Sequence, residues 1–209
     1  VLDQIQRVQK NFPPGKITFN RAEREDCVVF IWEAHDMPRV EEEALRPHID
    51  EFLPFTYLVT ARTWQKLNES FKDRQIREDI KLTLLIVETA KKITEGKTTE
   101  LDMVKALYDF CHSEIKSGAR APQAHAVLLE KEGDRDSLFL AFLNACGIDF
   151  QVVLVGSDPL TVSPPVEWEI PRYNYFPLPL TLVKPKGSAP IWIFPGIRYL
   201  PLGKIPEYI

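Results

Sequence analysis

The stretch EGDRDSLFLAFLNACGIDFQVVLVG, Glu132–Gly156, decides the fold. Gly133-Asp134-Arg135-Asp136-Ser137 is a polar turn. Leu138, Phe139, Ala141, Phe142, Ala145 and Cys146 then recur at steps of three and four, the spacing of a buried helical face. Asp134 or Asp136 is placed to cap that helix, and Gly147 to end it. Phe150–Val155 comes next as a mostly buried strand. A polar turn feeding the N-terminus of a buried helix is a place where an enzyme can hold a nucleophile, because the free N–H groups and the helix dipole favour an anion.

Upstream, helical spacing takes over at Thr63. Trp64, Leu67 and Phe71 make a short amphipathic helix, and Ile76, Ile80, Leu84, Val87 and Ile93 continue the period until Gly96 breaks it. Thr98 or Thr99 caps the next helix, with Asp102 available for a capping box. Its inner face is Leu101, Val104, Leu107, Tyr108 and Cys111. Downstream of Gly156 the chain is rich in proline, which removes ladder donors and favours loops and sheet edges. Leu178–Val183, Ile191–Ile193 and Ile197–Tyr199 still read as antiparallel strands. Asp158–Tyr173 reads as a long loop, of a length more often functional than idle.

Residues 1–60 differ in composition from the rest of the chain. Pro13-Pro14-Gly15 marks a turn. Lys16–Phe19 and Cys27–Trp32 read as strands, the second well supplied with β-branched and aromatic residues. Leu2, Ile5 and Val8 fit a helical face and a strand equally. Pro38–Glu43 is an acidic loop and Pro47–Pro54 another.

The run from Pro122 through Ala126-Val127-Leu128 to Gly133-Asp134-Arg135-Asp136, continued by Cys146–Val153, resembles the bacterial transglutaminase-like superfamily, whose fold is similar to papain. Residues 1–60 resemble, more loosely, the end of the β-rich domain that often precedes such domains. The resemblance implies an α+β fold, with helices packed on an antiparallel sheet in a papain-like core. It divides the chain into a β-rich segment over 1–60 and a transglutaminase-like domain over 61–209.

It also implies a triad of cysteine at the helix start, histidine on a strand and aspartate on the next, the set needed to form and use a thiolate. In this sequence the three positions read Arg135, Tyr175 (in Tyr173-Asn174-Tyr175) and Phe194 (in Trp192–Gly196). A guanidinium stays protonated, a phenol titrating near ~10 is a poor base at neutral pH, and Phe has no acceptor. The resemblance thus implies the scaffold without its catalyst. Asp134, Asp136, His125, Asn174, Trp168 and Trp192 are the candidate lining of the former cleft, and Tyr173, Phe176 and Tyr199 add aromatic surface. A cation at a helix N-terminus costs roughly 0.3–1 kcal/mol. Arg135 is therefore expected to turn into the cleft and pair with an acidic group, Asp134 or Asp136 being nearest to hand.

With 209 residues, a formal charge of −4 and 44% apolar residues, the chain suits one large or two small globular domains. Opening on Val1, it reads as a processed or cut product, with no signal peptide at its start. No apolar run is long enough to span a membrane, and mild acidity argues against nucleic acid, which needs a basic stripe. Walker A, dinucleotide, HExxH and paired-carboxylate patterns are absent from the sequence, so neither cofactor nor metal is expected. Cys27, Cys111 and Cys146 lie in apolar contexts and are expected as buried free thiols, which leaves the redox compartment open.

His112 follows Cys111 directly, so on a helix the two point roughly 100° apart; Cys111 is expected in the core and His112 on the surface. Ser137 has no identifiable base. His35 and His48 lack metal spacing, and Glu41-Glu42-Glu43 reads as a solvated run. The functional expectation is an inactive domain serving as a peptide- or protein-binding or structural module beside neighbouring domains of a longer chain. The alternative is an active cysteine peptidase or transglutaminase-type amide-processing enzyme with an unrecognised nucleophile. The nearest thiol to Arg135, Cys146, lies about two to three helical turns away, ~15 Å. A third reading is purely architectural. An extracytoplasmic, periplasmic location is implied by the resemblance alone.

Overall fold

The computed structural model describes residues 5–39, 52–59, 63–72, 77–118, 123–155, 171, 178–197 and 200–205. These fall into two compact units, one ending at Leu67 and taking in Pro171, the other starting at Asn68.

The first unit is built of antiparallel pairs. Strand β1 (Gln6–Lys10) pairs with β4 (Phe55–Val59), setting Val8 opposite Tyr57. Strand β2 (Ile17–Glu23) forms a hairpin with β3 (Val28–Ala34), setting Phe19 opposite Trp32. Cross-strand pairs stabilise such ribbons: the Phe19 and Trp32 rings lie 5.1 Å apart, and the Arg7 guanidinium sits 3.7 Å above the Phe19 ring. Of the ambiguous Leu2, Ile5 and Val8, Val8 falls in a strand because β4 supplies a partner that the local sequence does not reveal; Ile5 precedes the strand and Leu2 lies outside the described residues. Cys27 corrects the expectation of burial. It is exposed at the hairpin turn, where its carbonyl accepts from Arg24 N at 2.9 Å.

Helix α1 (Trp64–Phe71) carries the chain across the division and buries none of its side chains. The helical period read from Ile76 to Ile93 is not one helix. A single turn, α2 (Arg77–Asp79), is followed by a break, and α3 (Leu84–Thr94) starts afresh with Thr83 Oγ1 accepting from Ile86 N at 3.4 Å. The restart turns Ile86 and Ala90 inward and leaves Leu84 73% exposed, against its expected place on the inner face; Ile76 lies outside the described residues. Helix α4 (Glu100–Glu114) has the predicted cap. Thr99 Oγ1 accepts from Asp102 N at 3.1 Å while its hydroxyl donates to Asp102 Oδ2 at 2.7 Å, a variant of the capping box. Val104, Leu107, Tyr108 and Cys111 are buried as the spacing requires.

The short strand β5 (Lys116–Ser117) pairs in parallel with β6 (Glu132–Gly133) on either side of α5 (Ala124–Glu130). Then come α6 (Arg135–Ala145) and the antiparallel strands β7 (Asp149–Val155), β8 (Leu178–Lys184) and β9 (Ile191–Ile193), in spatial order β7-β8-β9. Helix α6 is central, packed on α3, α4, α5 and β7. Its buried surface is wider than the spacing suggested: Leu140 and Leu143 are buried as well as Leu138, Phe139, Ala141 and Phe142. Gly147, at φ +67°, takes the left-handed turn that ends it. The core joins these helices to Val183 and Ile193 of the sheet, giving the mixed α+β arrangement.

Two strand readings change. β7 is half-buried with Asp149 and Gln151 exposed, so it is not the mostly buried strand expected. Ile197 lies at a bend beyond the turn after β9, outside any strand, and 198–199 lie outside the described residues, as does the long 158–173 segment apart from Pro171. Among the described residues no helix is long and apolar enough to cross a membrane.

Candidate functional site

The start of α6 is organised by Asp134, which alone of the two candidate caps does the capping. Its Oδ1 accepts from Asp136 N at 3.0 Å, and its Oδ2 accepts from the Ser137 hydroxyl at 2.6 Å. One oxygen thus satisfies an N–H that the helix end leaves without an intrahelical partner, and the other takes up a hydroxyl in the same first turn. Ser137, 6% exposed, is committed to this cap.

Arg135 occupies the first helical position and is only 3% exposed. Its Nε and Nη2 both donate to the Ile115 carbonyl oxygen, at 2.9 and 2.6 Å. Ile115 is the C-cap of α4. The side chain therefore leaves the positive end of one helix and delivers its charge to the negative end of another, where a cation is favoured. These two donors thus serve a carbonyl, not Asp134 or Asp136, the acids nearest to hand. The Asp134 oxygens are taken by the cap, and a carbonyl at a buried helix end needs a donor.

Asp136 turns the other way, toward the turn after β9. A Cβ placed on Gly196 would stand 3.0 Å from Asp136 Oδ2 and 3.8 Å from the Phe194 ring, a contact tight enough that Asp136 would have to shift to admit it. Asp136 Oδ1 is sealed from solvent and, among the described residues, accepts no hydrogen bond. Burial first, then the Asp134 charge, pushes the Asp136 carboxyl up to about 7; the Gly196 N–H and the Arg135 charge act in the opposite sense. Burial and Asp134 also raise Asp79, on α2.

Helix α4 brings the rest of the setting. The Tyr108 hydroxyl donates to the Leu200 carbonyl oxygen, tying the chain beyond β9 to the core. Its phenol is pushed up to about 12 by burial and by the neighbouring Asp109 and Asp136. The Cys111 thiol is fully buried and held well above its ordinary range, chiefly by burial. His112 corrects the expectation of a surface position. Its ring lies 4.2 Å from that of Tyr108, its Nε2 is sealed, and burial and Arg135 lower its basicity.

Of the residues singled out by sequence, the structure gathers Asp134, Arg135, Asp136 and Phe194. Phe194 is buried at 6% exposure and Trp192 is half-buried on β9. His125 and His35 are exposed. Tyr175, Asn174, Trp168, Tyr173, Phe176, Tyr199, His48 and Glu41-Glu42-Glu43 lie outside the described residues. The sequence reading gave no site role to Ile115, Gly196, Asp79 or Leu200. Each joins the site through tertiary contact and carries no local motif. Among the described residues no group of three or more potential metal ligands comes together. Chemically, the site offers a carboxyl able to exchange a proton near neutrality, but the groups around it are a committed hydroxyl, a buried thiol and a guanidinium already in use.

No protein-family model matches this chain, and no curated protein does. Among solved structures, a protein from Parabacteroides distasonis described as "a putative protease" superposes on 90% of the chain with a TM-score of 0.62 at 15% identity. The match takes in 37% of that protein, so the chain spans little more than a third of its length. At this identity the likeness is one of fold: the chain shares a mixed α+β scaffold with a protein of that description.

Proposed function

We propose that the unit containing α3–α6 and the β7-β8-β9 sheet is a transglutaminase-like domain of papain type that has lost catalysis. Its former cleft serves as a peptide- or protein-binding or structural module within a longer chain. The observation that carries this reading is Arg135. At the helix start where the resemblance expects a thiol nucleophile stands a side chain 3% exposed and fastened to the Ile115 carbonyl. A guanidinium in that setting neither attacks a carbonyl nor gives up a proton. Phe194, at the position expected for the acid, is buried and has no acceptor. The two thiols of this unit are poorly suited to take the role over. Cys111 is sealed in the core, and Cys146 caps the opposite end of α6 with its acidity weakened by burial. The scaffold shared with the protease-described neighbour is compatible with this origin.

The test is an activity assay on the whole protein with glutamine-donor proteins, a fluorescent amine and a peptide library, before and after thiol alkylation. No turnover is expected in either state. Turnover that alkylation abolishes would favour the alternative, an active cysteine enzyme, and overturn this reading.

A further inference from the structure

We propose that Asp136 is a proton-operated fastener between the start of α6 and the turn leaving β9, closed when its carboxyl is protonated and loosened when it is ionised. The geometry is that of a junction. Asp136 grows from the first turn of α6, and its Oδ2 lies 3.0 Å from where a Cβ on Gly196 would stand. Phe194 closes the same turn from the strand side, buried at 6% exposure. Asp136 Oδ1, in the dry interior of this junction, accepts no hydrogen bond among the described residues. A neutral carboxyl tolerates such a position far better than a carboxylate, whose lost hydration the Gly196 N–H replaces only in part.

The charges around it act in both directions. Asp134 opposes ionisation and Arg135 favours it, but the two Arg135 hydrogen bonds to Ile115 point to the end of α4. Tyr108 and Cys111 face it from α4 and are themselves raised by its charge. From the β9 turn, among the described residues, it meets the Gly196 N–H, which favours the charged form. Asp79, on α2, is itself raised by burial and by the Asp134 charge. Among the described residues, α3, α5 and β7 bring no charged group to Asp136.

The direction of the switch is set by linkage. In the closed junction the carboxyl keeps its proton up to about 7, whereas an opened, hydrated aspartate loses it near ~3.9. The closed state therefore binds the extra proton between those values. It is tightest below the lower one, weakens as pH rises, and levels off above the upper one.

The experiment requires no identified ligand, and its outcome is independent of whether the domain is catalytically inactive. The Asp136 carboxyl carbon is titrated by NMR in the whole wild-type protein, and amide-exchange protection at Gly196 is followed over the same pH range in wild type and in Asp136→Asn. A titration midpoint near 7 is expected. Gly196 protection, corrected for intrinsic exchange, should fall by up to about tenfold per pH unit below that midpoint and then level off. The isosteric amide should show a flat profile. A midpoint below about 5, closer to a hydrated aspartate, overturns the proposal, as does an equal loss of protection in the amide variant.

Discussion

Arg135 and the Ile115 carbonyl are joined by two hydrogen bonds, 2.9 Å from Nε and 2.6 Å from Nη2, linking the first residue of α6 to the end of α4. Removing the donors leaves a buried carbonyl without them, a loss of about 1–3 kcal/mol. Arg135→Met, which keeps the apolar stem, is expected to lower unfolding stability by that amount in urea titrations. Arg135→Lys should fall between the two, because a single ammonium reproduces the charge but not the fork. A change within about 0.5 kcal/mol of wild type for the methionine variant, the range of an ordinary surface substitution, contradicts the role assigned to this pair.

Asp134 holds two groups at once, Asp136 N at 3.0 Å and the Ser137 hydroxyl at 2.6 Å. Asp134→Ala should cost about 0.5–2 kcal/mol as a lost N-cap. It should also let the Asp136 and Asp79 carboxyls ionise at lower pH, since the Asp134 charge contributes to the upward displacement of both after burial. Carboxyl titration by NMR reads that second effect. An Asp136 midpoint unmoved by the substitution would mean that burial alone sets it.

Gly196 leaves little room for a side chain beside Asp136. Gly196→Ala places a Cβ 3.0 Å from Asp136 Oδ2, inside a packed junction. Overpacking of this kind costs about 1–3 kcal/mol, and thermal denaturation should show it. Gly187→Ala serves as the contrasting case, where a Cβ meets nothing within 4 Å and only the left-handed φ of +75° is strained. If Gly196→Ala is as stable as wild type, the close approach does not constrain the turn.

The three thiols should separate by rate. Cys27 is exposed, Cys146 half-buried and Cys111 fully buried. Burial raises the thiols of Cys111 and Cys146, so less of the reactive thiolate is present at either. Under native conditions an aromatic disulfide reagent should consume one thiol quickly, a second slowly and the third only on denaturation. Cys27→Ser should remove the fast phase. A fast phase that survives in Cys27→Ser identifies another reactive cysteine and reopens the enzymatic reading.

Much of the second unit was legible because its signals are local. Thr99 and Asp102 sit three residues apart, Asp134 precedes an apolar run, and Gly147 closes it. Caps and stops of this kind involve neighbours in sequence, so α4 and α6 emerge close to where the structure has them. The run from Ile80 to Ile93 misled for the converse reason. Helical spacing persists across the break that Thr83 caps, and spacing alone does not say where one helix ends and a new face begins.

The sequence by itself determined where α4 and α6 begin, to within a residue or two, and the absence of a thiol at the head of α6, because residue identity and near-neighbour spacing are all that those require. Tertiary structure alone decided what Arg135 and Asp136 do there. Ile115, 20 residues before Arg135, supplies the carbonyl that takes the guanidinium. Gly196, beyond all three sheet strands in sequence, supplies the backbone against which the carboxyl is sealed. A charge is held or displaced by what lies within a few ångströms of it in space, and those neighbours were set by packing the helices on the sheet.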